Sequence, residues 1–198
     1  MAKFYRRKFE REIANALSSK ALQREALRVV RQKVDIAHKE MVEDFDSHPV
    51  TLELEAGATA QNFSGTLGGY GNLFTFIGFS ADSQPTRPIR RYLNRVGRVS
   101  HQPKIIKKQA RVDMIFRVKT PLVEDIEDVS PSPWAGRSWT RGIERGISGL
   151  GYYMYSRSNL TNSRSGRGLQ SSKEVRAMAY RPIKYMTSIL SKFYDRIK

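Results

Sequence analysis

Apolar positions along residues 4–45 recur every three or four places. Leu22, Ala26, Val30, Val34, Ala37, Met41 and Phe45 form one stripe, and Arg24, Arg28, Arg31, Gln32, Lys39 and Glu43 lie on the opposite face. This predicts a long N-terminal helix in two pieces that meet near Ser18 and Ser19. Asp46-Ser47-His48-Pro49 ends it, because proline drives the residue before it out of the helical region. Such a stripe serves either a coiled-coil partner or a sheet of the same chain on which the helix is laid.

Beyond the proline, Val50, Leu52 and Leu54 alternate with Thr51, Glu53 and Glu55, the period of a half-buried strand. A Gly-rich connection over 56–71 follows. The aromatic run N-L-F-T-F-I-G-F at 72–79 then reads as a strand buried on both faces, the centre of the sheet. Ile89, Leu93 and Val96 fit a short helix opened by proline. Residues 111–119 alternate again, with Val112, Met114, Phe116 and Val118 inward and Arg111, Asp113, Arg117 and Lys119 outward. The acidic piece E-D-I-E-D-V with its following prolines reads as an exposed turn or arm.

The stretch 134–170 has a different pattern. Trp139, Ile143, Ile147, Leu150 and Met154 recur at helical spacing, while Gly142, Gly146 and Gly149 recur on a neighbouring face. Each glycine inside a helix costs on the order of 1 kcal/mol relative to alanine, so this series implies close approach of another backbone. The expected neighbour is the chain's own sheet for the helix. For the Arg/Ser/Asn-rich loop that follows, it is an adjacent subunit. A short strand is expected at Leu169 and Gln170, and Ile183, Met186, Ile189, Leu190, Phe193 and Ile197 predict a C-terminal helix from Pro182.

These elements give an α+β fold: a small antiparallel or mixed sheet flanked by helices, with a long N-terminal helix and extended loops. The 198 residues are expected to form a single domain, with a helical region at 1–46, a sheet core with long loops at 47–170 and a C-terminal helix at 171–198. No run approaches the roughly 18 apolar residues of a membrane span, and no apolar stretch follows the basic N-terminus. A soluble chain without a secretory signal, and with no membrane partner, is therefore expected.

Composition changes the picture through charge. Thirty-five Lys and Arg against nineteen Asp and Glu leave a formal net charge of +16, which calls for an anionic or acidic partner. The chain has no cysteine, which excludes disulfides, thiolate metal sites and a cysteine nucleophile.

Catalytic patterns fail. Gly69-Tyr70-Gly71 precedes a predicted strand and lacks a third glycine, and no phosphate-cradling G-x-x-x-x-G-K-[ST] occurs. Gly146-Ile147-Ser148-Gly149-Leu150-Gly151 departs from a nucleophile elbow at Leu150. His38, His48 and His101 lack metal-ligand spacing, and the acidic cluster lacks the calcium-loop pattern. No catalytic residue, metal or cofactor is expected, and the chain reads as non-enzymatic.

The charged residues segregate instead. Arg87, Arg90, Arg91, Arg95, Arg98, Lys104, Lys107 and Lys108 begin a basic region over 87–119, the candidate face toward DNA. Arg137, Arg141, Arg145, Arg157, Arg164 and Arg167 flank the glycine series. Acid gathers at 40–46, at Glu53 and Glu55, and at Glu124, Asp125, Glu127 and Asp128. A basic and an acidic region on one molecule can dock head to tail on other copies. The same basic region can face a phosphate backbone, or the charges can form a solvated surface. Gly142, Gly146, Gly149, Arg157, Arg164, Arg167 and the Glu124, Asp125, Glu127 and Asp128 cluster are the candidate contacts with another subunit or partner.

The run at 72–79 with its following basic helix resembles the neck and tail-completion proteins of tailed bacteriophages. So does W-T-R-G-I-E-R-G-I-S-G-L-G-Y-Y with S-R-S-G-R-G-L-Q, and the likeness covers about 50–170. The resemblance implies a non-enzymatic virion protein: a homo-oligomeric ring at the head-tail junction, assembled in the host cytoplasm, with DNA passing through. Its implied partners are connector, tail-tube or tail-terminator proteins, and DNA met non-specifically in the channel. The alternative from the residues themselves is a basic nucleic-acid-binding protein, with 87–119 on phosphates and Tyr92 or Phe116 stacking bases.

Overall fold

A computed structural model describes residues 2–68, 71–99, 102–108, 111–133, 137–146, 153–155, 169–171 and 180–198. The fold is α+β, with helices flanking small antiparallel sheets. The described strands make three separate two-stranded sheets. Two compact units emerge, one built chiefly from Met1–Lys39 and Val96–Thr120 and the other chiefly from Glu40–Arg95 and Pro121–Arg196.

In the first unit, α1 (Ala2–Leu17) and α2 (Lys20–Ser47) are separated at Ser18 and Ser19. The break is built from side chains. The Ser19 hydroxyl accepts from the Leu22 N–H at 3.4 Å, and the Gln23 amide donates to the Ser18 carbonyl at 2.6 Å, occupying backbone groups that an uninterrupted helix would pair internally. Residues of α2 as far as Lys39 belong to this unit and those from Glu40 to the second. Strand β1 (Arg98–Val99) pairs with β4 (Val118–Lys119), and β2 (Lys104–Lys108) forms a hairpin with β3 (Arg111–Ile115) in the register Lys104 to Ile115. The predicted strand 111–119 is thus two strands, because its halves pair with different partners. Phe116 and Arg117 form the joint. Strand β3 lies against α1, and the Lys107 ammonium donates to Asn15 Oδ1 at 3.0 Å.

The second unit holds α3 (Pro49–Glu55), α4 (Leu73–Ile77), α5 (Thr86–Arg95), α6 (Val123–Asp128), α7 (Trp139–Arg145), the strands β5 (Tyr153–Tyr155) and β6 (Leu169–Ser171), and most of α8 (Met186–Ile197). Its centre is aromatic. Trp139 presents its ring edge-on to Phe79 at 6.1 Å and stacks on Tyr185 at 6.2 Å, and Tyr185 stacks in turn on Phe45 at 6.1 Å. Ile77, Ile89, Ile126, Ile143, Ile189 and Phe193 are fully buried with them. Each such side chain contributes about 1.5–3 kcal/mol of burial.

Several sequence expectations are corrected here. Residues 50–54 are helix, not strand. Pro49 opens α3, and His48 caps it by accepting the Val50 N–H on Nδ1 at 3.2 Å. In this geometry Glu53 is buried and Leu52 is 47% exposed, the reverse of the alternating reading. The run 72–79 is helix α4 with its flanks, not the central strand. Asn72 accepts the Thr75 N–H at 2.9 Å to start it, and Gly78 at φ +86° ends it. An apolar run this short has the same composition in a buried helix as in a buried strand. The acidic piece is helix α6, anchored by buried Ile126, rather than a turn or arm.

The glycine-faced helix is cut short at Arg145. Gly146 adopts φ +93° and ψ +140°, a conformation that only glycine takes without strain, and Met154 lies in β5. A Cβ built on Gly146 would meet Pro182 Cγ at an ordinary 3.9 Å, so backbone conformation rather than close approach accounts for this glycine. The strand expected at Leu169 is β6, paired with β5. The C-terminal helix begins at Met186 rather than Pro182, since residues 181–185 are tied to other parts of the chain by Arg181 N–H to the Thr66 carbonyl and Ile183 N–H to the Ile143 carbonyl.

Candidate interaction surfaces

Two carboxylates hold the second unit's helices in place. Glu53 is fully buried and accepts from Leu73 N–H at 2.6 Å, Ser64 N–H at 2.8 Å and the Asn62 amide at 3.0 Å. It thereby fastens the Gly-rich connection to the first turn of α4, where a negative charge meets unpaired N–H groups. Glu144 does the same for α8, accepting from Tyr185 N–H at 3.1 Å and from Thr187 N–H at 2.7 Å. Each carboxylate joins a helix start to a distant part of the chain.

Chemistry is sparse elsewhere. Ser130, Ser138 and Thr140 bring three hydroxyls within 2.7–2.9 Å of one another. Their partners among the described residues are other hydroxyls or backbone groups, with no general base among them. No group of three His, Asp or Glu able to hold a metal occurs among the described residues, and no described helix is long and apolar enough to cross a membrane. Residues 147–151 of the elbow-like segment lie outside the described residues, as does His101.

The candidate DNA-facing residues fall in both units. Arg87, Arg90, Arg91 and Arg95 are on α5 in the second unit, while Arg98, Lys104, Lys107 and Lys108 belong to the first. Arg90 is engaged internally. Its guanidinium sits 2.7 Å from Asp46 and 2.6 Å from Glu55, and lies 5.7 Å from the centre of the Phe45 ring. It ties α5 to α3 and the end of α2. Arg87, Arg91 and Arg95 are exposed.

On the hairpin, residues paired across the register share a face. Lys104, Ile106, Lys108, Arg111, Asp113 and Ile115 therefore lie on one face, and Ile105, Lys107, Val112 and Met114 on the other. Asp113 pairs with Arg111 at 2.6 Å and Lys108 at 3.2 Å, and these two cations hold its carboxyl below the usual range.

Among the acidic candidates, Asp125 accepts from the Tyr92 hydroxyl at 2.6 Å and Glu127 faces Arg141 at 3.5 Å. Burial, first, and then the hydrogen bond to Asp125 push the Tyr92 phenol up to about 12. Tyr92 is thus bound to α6, and Phe116 is half-buried. Glu124 and Asp128 are exposed, with no partner among the described residues. Gly142 lies half-buried in α7. Gly149, Arg157, Arg164 and Arg167 lie outside the described residues.

What sequence reading missed is the scale of the charge partition. The first unit holds eighteen Lys and Arg against five Asp and Glu, a formal +13. The second holds seventeen against fourteen, a formal +3. The signal was present in the composition, but it became visible only once the N-terminal helices and 96–120 were grouped together.

Comparison of the chain with protein-family models, with curated proteins and with solved structures finds no match in any of the three.

Proposed function

We propose that this chain is a non-enzymatic structural protein of a tailed bacteriophage virion, a neck or tail-completion subunit. In this reading it forms a homo-oligomeric ring that joins the head connector to the tail. It is assembled in the host cytoplasm and resides at the head-tail junction, against connector and tail-tube or tail-terminator proteins. The observation that carries the reading is the charge partition: +13 on one unit and +3 on the other. A strongly cationic unit and a nearly neutral one in the same chain suit a subunit that meets acidic neighbours or passing DNA. The resemblance of 50–170 to that group narrows assembly in general to the neck.

The test is reconstitution. Purified protein added to heads and tails that lack this component is expected to yield joined particles in negative-stain micrographs. Failure to join them, together with a monomeric state in sedimentation, would overturn the reading.

The second reading is a basic nucleic-acid-binding protein, favoured by the outward Lys104, Lys108 and Arg111 on the hairpin. A salt titration separates the two. A dedicated binder loses affinity steeply with salt, and its slope falls by roughly one for each phosphate-contacting cation replaced by glutamine. A ring that encloses DNA needs only weak, sequence-blind attraction.

A further inference from the structure

One side of α2 bears Arg24, Arg28, Arg31, Leu27, Ile36 and a single acid, Asp35. Arg24, Arg28 and Arg31 follow one another at i, i+4 and i+7, so they share a face. Arg28 is held on the surface by Glu25 at 2.6 Å, whereas Arg24 and Arg31 have no partner among the described residues. Ile36 is 53% exposed beside them. A phosphate backbone would use the arginines and leave Ile36 in water. A protein segment carrying both acid and apolar groups would use both.

The chain itself has such a segment. On α6, Glu124 and Asp128 stand at i, i+4 on the exposed side, and Leu122, at the start of the helix, is 48% exposed. The two positions are about 6 Å apart along the helix axis, the same rise that separates Arg24 from Arg28. Two copies cannot readily meet through their first units, since that brings +13 against +13, while the second unit holds fourteen of the nineteen acids.

We infer that the Arg24, Arg28 and Arg31 face of α2 in one copy receives α6 of a second copy, with Glu124 and Asp128 on the arginines and Leu122 against Ile36. The contact joins unlike surfaces, so one copy of the pair keeps its arginine face free and the other keeps its α6 free. Repetition closes into a ring when the rotation permits. The inference deepens the ring reading and rests on it for the step from a pair to a closed ring.

Sedimentation velocity of the full chain and of two variants, Arg24→Gln/Arg31→Gln and Glu124→Gln/Asp128→Gln, tests it. The wild type is expected to self-associate reversibly, and less so as salt rises. Each variant alone is expected to associate roughly tenfold or more weakly, with unchanged circular dichroism. Mixed, the two variants should form a one-to-one dimer that grows no further, because each retains the face the other lacks. Arg24→Lys/Arg31→Lys should retain association.

If both variants associate as the wild type does, or if their mixture gives no dimer, this contact is wrong and the ring reading stands on another surface. If the wild type stays monomeric at high micromolar concentration, the contact falls and the ring reading is weakened with it. If Arg24→Gln/Arg31→Gln weakens binding to a short random-sequence DNA duplex while leaving self-association unchanged, the face belongs to nucleic acid and the inference is overturned.

Discussion

The two units spend their hydrophobic residues differently. Among the described residues, six of the nine large exposed apolar side chains, Phe9, Leu17, Leu22, Val29, Ile36 and Ile115, belong to the first unit. The largest fully buried ones, from Trp139 and Tyr185 to Phe193 and Ile126, belong to the second. The second unit also buries polar groups and satisfies most of them. Thr51 meets the Tyr185 hydroxyl at 2.7 Å, Glu53 has three donors, and Ser132 Oγ is the buried side-chain atom left without a partner among the described residues. Buried polar groups without partners are costly, so such a network fixes one arrangement of the helices. The first unit instead leaves charge and aliphatic surface in water. Among the described residues, one unit therefore buries most of its large apolar side chains and the other leaves more of them exposed.

The comparison breaks if stability does not follow it. Trp139→Ala is expected to cost the most, about 3–5 kcal/mol in denaturant titration, since it empties the aromatic centre. A loss below 1 kcal/mol would mean that the second unit's core is not what holds it. Glu53→Ala should cost about 3 kcal/mol by stranding Leu73 N–H, Ser64 N–H and the Asn62 amide, with apolar volume little changed. Gly146→Ala should cost about 1–3 kcal/mol because of its positive φ, read as a lowered melting temperature.

A smaller effect lies at His48. Burial, chiefly, lowers its imidazole below the usual value, with Lys192 adding to the shift and Asp44 and Glu144 opposing it. The unfolded chain therefore takes up the proton first. The contribution is full above the unfolded value of about 6.5 and is lost as pH falls below it. Protonation also fills the Nδ1 lone pair that caps α3. His48→Asn should retain the cap and flatten the dependence of the denaturation midpoint between neutral and mildly acid pH. An unchanged slope would remove His48 from the account. The smallest effect on stability is expected in the first unit: Ile36→Ser should stay within about 0.5 kcal/mol of wild type, since its side chain is already half in water.

The helical stripe that ends in Val34, Ala37, Met41 and Phe45, the break at Ser18 and Ser19, and the C-terminal stripe of Met186, Ile189, Leu190 and Phe193 were all legible in the sequence, because helical periodicity over many residues is a strong local signal. The α+β class and the overall basic charge were legible for the same reason: they are sums over the chain. The short elements were not. At 50–54 and 72–79 four to eight residues fit either period. The choice was made by capping: His48 and Asn72 start α3 and α4 locally, Glu53 reaches the first turn of α4 from 20 positions away, and Glu144 reaches α8 from 43. The candidate surface was legible as residue types and not as a grouping. Arg90 looks like its neighbours Arg87 and Arg91 in sequence, yet it is paired with Asp46 and Glu55, residues 44 and 35 positions away. The sequence by itself determined periodicity, composition and charge. Only the tertiary structure decided which cations are already neutralised and which remain exposed, because that depends on partners brought together from distant parts of the chain.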